Sequence, residues 1–144
     1  MPDDVAPSAS PPVPPTVWYS YAIVRVVPRV ERGECLNVGV VLFAREAGYL
    51  AARIELDAAR LQALAPGIDI APIERHLASF AAICAGRPEG GPLAALPPPE
   101  RFHWLTAPRS TVIQTSPAHE GTTADPAATL DDLLATFVRL PPDG

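Results

Sequence analysis

Apolar and polar positions fall into blocks of different period along the chain. Residues 17 to 27, VWYSYAIVRVV, are dense in β-branched and aromatic side chains, and residues 36 to 44, LNVGVVLFA, form an almost unbroken apolar run. Between them Arg29 to Glu34 is a polar stretch with Gly33 to supply a turn, so the two blocks predict a β-hairpin. Symmetric pairing about that turn, with residue numbers summing to about 64, sets Arg25 opposite Gly39 and Tyr21 opposite Phe43. On that register Gly39 leaves room for the Arg25 side chain to lie across the sheet. A third strand, Tyr49 to Glu55, follows the short Glu46-Ala47-Gly48 turn and completes an antiparallel meander.

Helical spacing takes over after Glu55. Asp57 is placed to cap a short helix through Leu64, stopped by Pro66-Gly67. Pro72 opens a second helix, with Ile73, Leu77, Phe80 and Cys84 on one face and Gly86 as its end. Residues 87 to 99, RPEGGPLAALPPP, read as a connector, and ERFHWLT after it as a helical turn that carries Phe102 and Trp104 into the core or under that connector. Ser110 to Thr115 predicts a fourth strand. SPAHEGTTAD then reads as a loop leading to a helix start at Asp125-Pro126, with Leu130, Leu133, Leu134 and Phe137 as the apolar stripe.

These elements predict an α+β fold: an antiparallel β-meander plus a later strand, with helices packed on one face. One domain spanning residues 17–140 accounts for all of them. Residues 1–16, rich in Pro, Ser and Ala, read as a disordered tail, and residues 141–144 as a disordered end.

Composition narrows the chemistry. A chain of 144 residues, 48% hydrophobic and 19% charged, has the length and apolar content of one globular domain. The formal net charge of −5 repels nucleic acid and anionic lipid, so any polyanion site has to be local. Cys35 and Cys84 lie far apart without a CxxC, and no stretch has the order of a signal peptide or the length of a membrane span, which together predict a cytoplasmic protein with reduced thiols. All 11 basic residues are Arg. Arg is therefore the chain's general-purpose cation, and its presence alone does not signal bidentate anion recognition.

Two polar clusters stand out. Arg25, Arg29, Glu31, Arg32, Glu34 and Asn37 gather at one hairpin end, where guanidinium groups could clamp an anion with the glutamates orienting them; a salt-bridged turn accounts for the same residues. Asn37, the single Asn of the chain, fits ligand contact and turn capping equally. Arg109, Ser110 and Thr111, with His119 to Thr122 further on, could cradle a phosphate through side chains and backbone N–H groups, although no P-loop glycines precede them. A Ser110–His119 dyad is disfavoured, because one extended strand would hold its ends ~20 Å apart. His76, His103 and His119 have no metal-ligand spacing, so neither a metal nor a cofactor is expected, and no residue is assigned a catalytic role.

The stretch YSYAIVRVVPRVERGECLNVGVVLF, together with RFHWLTAPRSTVIQTSPAHEG, resembles the Domain of Unknown Function 3037 family of bacterial proteins over residues Tyr19 to about Arg139. Cys35 departs from the pattern, standing where a larger apolar residue is expected. The resemblance implies an accessory or regulatory partner of a HipA-like serine/threonine kinase. The sequence reading is thus a non-catalytic binding or regulatory module engaging a protein partner or an anionic ligand. Its candidate ligand-binding residues are Arg25, Arg29, Glu31, Arg32, Asn37, Arg109, Ser110 and His119. The rival reading is a small enzyme acting on a phosphorylated or nucleotide substrate, which requires Arg25, Arg29 and Arg109 to meet in one pocket. A homodimer formed through the exposed sheet is the third.

Overall fold

The computed structural model describes residues 15–142. The proposed tail falls mostly on residues 1–14, and the last two residues of the proposed end are 143 and 144; both stretches lie outside the described residues. Strands β1 (Val17–Val26), β2 (Leu36–Ala44) and β3 (Tyr49–Ile54) form the antiparallel meander. Helices α1 (Ala58–Leu64) and α2 (Ile70–Ala85), a 3-10 segment (Pro88–Ala95) and helix α3 (Pro98–Thr106) follow. Strands β4 (Ile113–Thr115) and β5 (His119–Thr123) then both pair with β1, and helix α4 (Pro126–Phe137) follows them. The strand order is β3-β2-β1-β4, with β5 further along the same side of β1 as β4.

Side-chain capping sets three of the helix starts. Asp57, Asp69 and Asp125 each accept a backbone N–H in the first turn of α1, α2 and α4. Helix α2 therefore begins at Ile70, two residues before the expected Pro72, because Pro is tolerated in a first turn whose N–H groups are free. Gly86 ends it in the left-handed conformation at φ 71°.

The helices do not share one face, in contrast to the expectation. Val24, Val26, Val38 and Val41 pack with Leu61, Ile73, Leu77, Phe80 and Leu105 of α1, α2 and α3. Val40, Leu42 and Ala44 point the other way, into a second core closed by Leu130, Leu134 and Val138 at α4. The unbroken apolar run of β2 carries this information, since a strand covered on both sides loses the polar alternation of a half-exposed one.

The hairpin register also differs from the symmetric pairing. Tyr21 faces Leu42, Ser20 faces Phe43, Val24 faces Gly39, and Arg25 faces Asn37. Val38 is the extra residue of a β-bulge, so Val38 and Gly39 together oppose Val24. Gly39 does not make room for Arg25. A Cβ built there would lie 2.6 Å from the Arg53 carbonyl oxygen and 2.6 Å from Ile54 Cδ1, so it is β3 that requires the glycine.

The later strand is shorter than Ser110 to Thr115, and the stretch expected to be a loop contains β5. Ser116 separates the two. Its N–H donates to the Ile23 carbonyl at 2.9 Å and its hydroxyl accepts the Ile23 N–H at 2.8 Å, which satisfies β1 across the break between β4 and β5.

Candidate functional site

The bulge decides which polar groups meet. With Val38 inserted, Asn37 of β2, Arg25 of β1 and Gln114 of β4 stand in one row across three strands. Residues directly opposite in antiparallel strands share a face. Here that face belongs to α4, because the Asn37 amide donates to the Phe137 carbonyl at 3.0 Å. Asn37 thus caps the C-terminal end of α4, and Arg60 from α1 caps it again by donating to the Val138 carbonyl at 3.0 Å. Donors and positive charge are favoured at that end of a helix.

Arg25 is the unusual member of the row. It is half-buried, its Nε is buried without a hydrogen-bond partner, and none of the ion pairs among the described residues includes it. Several other arginines are engaged. Arg53 pairs with Asp131 and Glu55, and Arg139 donates to both oxygens of Glu55 at 2.9 and 2.7 Å. These contacts hold the Glu55 carboxyl below the usual range, chiefly through the Arg139 hydrogen bond. Arg101, whose Nε is also unpartnered, donates through Nη1 to the Leu96 carbonyl at 2.7 Å. Gln114 turns its amide back to the Thr111 carbonyl at 2.8 Å, which leaves its side-chain oxygen for other use.

The remaining candidates divide among other places. Arg29, Glu31 and Arg32 are exposed in the hairpin loop, and Arg32 donates to Glu34 at 2.8 Å, which lowers the Glu34 pKa. Arg29 and Arg32 line a recess of about 230 Å³ against Leu64 to Pro66. Arg109 lies with its guanidinium 4.3 Å from the centre of the Trp104 ring and lines a larger cavity between β4, α2 and α3. The two cavities share no lining residue, so Arg29 and Arg109, which the reading of an enzyme for a phosphorylated or nucleotide substrate requires to meet, lie in separate pockets. Ser110 is exposed just before β4. His119, exposed on β5, packs its ring 5.4 Å from that of Tyr21, on the α4 face.

Sequence reading brings out Arg25 and Asn37 but misses Gln114 and Ser116. Both lie in the stretch RFHWLTAPRSTVIQTSPAHEG that carries the family resemblance, but nothing in their residue types singles them out there. The place of Gln114 depends on a strand pairing between residues about 90 apart. Trp104, expected in the core or under the connector, is 38% exposed, whereas Phe102 does pack inward, its ring 5.5 Å from that of Phe43.

These features describe a two-sided antiparallel sheet domain with a polar row beyond one helix end and an apolar cavity on the opposite face. A family model described as "Protein of unknown function (DUF3037)" matches residues 21–138, and the chain belongs to that family. No curated protein and no solved structure matches it. Among the described residues no group of three or more His, Cys, Asp or Glu is gathered as a metal site, and no helix is long and apolar enough to cross a membrane.

Proposed function

We propose that this protein is a non-catalytic binding or regulatory module that receives an anionic group, such as a carboxylate of a protein partner, on Arg25. The observation that carries the reading is the half-buried Arg25 in the row Asn37, Arg25 and Gln114, its Nε buried with no hydrogen-bond partner and its guanidinium in no ion pair among the described residues. Keeping a charged group partly out of water without a partner is costly, and an incoming carboxylate or phosphate would offset that cost with two parallel N–H···O bonds. Asn37 holds the end of α4 beside it, so the rim of the site is ordered before anything binds. A HipA-like serine/threonine kinase, named by the family resemblance, is the first partner to test. Two unbridged cysteines suit a cytoplasmic setting.

The direct test is NMR of the Arg side-chain Nε–H signals in wild-type protein titrated with acetate and phosphate, alongside Arg25→Met, which keeps the apolar stem. The expected result is a saturable shift of the Arg25 signal, together with loss of kinase co-purification in Arg25→Met. Absence of any saturable shift, with unchanged partner recovery, would remove Arg25 as the site.

A further inference from the structure

The cavity between β4 and helices α2 and α3 holds about 620 Å³, within the range of ligand-binding clefts. Phe80, Ile83, Leu105 and Ile113 make it apolar. Among the described residues that line it, Arg109 carries the fixed charge, held over Trp104 and donating to the Trp104 carbonyl.

One wall is β4, the outermost strand at its end of the sheet. The Val27 N–H donates to the Val112 carbonyl at 2.7 Å and the Ser116 N–H to the Ile23 carbonyl at 2.9 Å. By the alternation of an antiparallel ladder, Ile113 and Thr115 then direct their N–H and C=O groups outward. The Ile113 carbonyl already accepts the Thr111 hydroxyl at 2.7 Å. Thr115 is left offering both a donor and an acceptor, the requirement for one closely spaced antiparallel pair, with the Ile113 N–H as a further donor. Thr115 and Ile113 pair with Val24 and Val26, which face the α2 side, so residues added opposite them would point into the cavity.

We infer that an extended peptide segment of a partner adds to β4 as a further antiparallel strand, with two alternate apolar side chains in the cavity and a carboxylate on Arg109. Arg109 precedes β4 in the chain, so an antiparallel segment meets it on its own C-terminal side. The order is therefore apolar, any, apolar, then acidic. Strand addition draws affinity from backbone bonds and specificity from the pockets for alternate residues. This site lies on the opposite side of the sheet from Arg25 and does not depend on it, although Gln114 of the Arg25 row also lines the cavity at the edge strand.

The probes are labelled hexapeptides that alternate leucine or isoleucine with threonine and end in glutamate, followed by fluorescence anisotropy on the full chain. Saturable binding is expected. N-methylation of an apolar residue, whose N–H faces β4, should weaken it about tenfold, and N-methylation of a threonine less than about twofold. Arg109→Ala should reduce the glutamate peptides to the affinity of glutamine-ended versions, while Arg25→Met leaves every peptide unchanged. The inference is overturned if no peptide saturates, if both N-methylated series weaken equally, or if sedimentation shows a dimer that the peptides dissociate, since the strand edge then serves a second copy of the chain.

Discussion

Replacing Gly39 with alanine puts a methyl group against atoms of which one cannot move aside. The new Cβ would sit 2.6 Å from the backbone oxygen of Arg53 and 2.6 Å from Ile54 Cδ1, both on β3. Overfilling a packed site costs about 1–3 kcal/mol, and the stiffer unfolded chain of an alanine variant returns about 0.4–1 kcal/mol, so a net loss of ~1–2 kcal/mol is expected. With a urea slope near 2 kcal/mol/M the unfolding midpoint falls by about 0.5–1 M, measurable from tryptophan fluorescence. A second substitution identifies the cause. Ile54→Val removes Cδ1, so Gly39→Ala should cost less in the Ile54→Val background than alone, though the backbone contact prevents full rescue. Arg25→Ala should give no rescue, because Arg25 faces Asn37 and lies on the other side of the sheet from Val24. If Arg25→Ala restores Gly39→Ala and Ile54→Val does not, the bulged register is wrong, and with it the row of Asn37, Arg25 and Gln114.

Other outcomes follow from single contacts. Ser116→Ala strands the buried Ile23 N–H and should lower stability by about 1–3 kcal/mol, read by chemical denaturation; an unchanged midpoint would show that β1 is satisfied in another way. A thiol reagent at neutral pH should modify Cys35 alone, because Cys84 is buried and its thiol is pushed up to about 12, and the second equivalent should appear only on unfolding. Glu55 titrates below its ordinary value in the folded chain, so the clasp it forms with Arg139 contributes above the unfolded pKa and fades as pH falls through the lowered one. Thermal midpoints should therefore drop on acidification below about pH 4, and less steeply in Glu55→Gln than in wild type.

Much of the fold was legible because it rests on local chemistry. Asp57, Gly86 and Asp125-Pro126 mark helix ends through bonds within a few residues of themselves, and Ile73, Leu77, Phe80 and Cys84 repeat at the spacing that buries them. Strand β5 was illegible for the opposite reason. Its sequence HEGTT carries no apolar alternation and lies at the sheet's outer side, where pairing with β1 fixes it through backbone bonds that leave no periodic signal in the side chains. Half of the candidate site was visible in the same way. Arg25 and Asn37 could be named from their clustering in sequence, but their juxtaposition needed the bulge at Val38, and no residue-level signal gives a register that slips by one partway along a strand. Arg109 belonged to the other cluster, and whether it would meet the hairpin arginines could not be read from sequence, because that depends on which face of the sheet each occupies.

The second core has a consequence for how the chain matures. Every described strand precedes α4 in sequence, and among the described residues Val40, Leu42 and Ala44 are closed over by Leu130, Leu134 and Val138. Until that helix is synthesised the finished sheet carries a bare greasy side, which makes the stretch of synthesis from Thr123 to Val138 the moment of greatest exposure to proteases and to sticking between nascent chains.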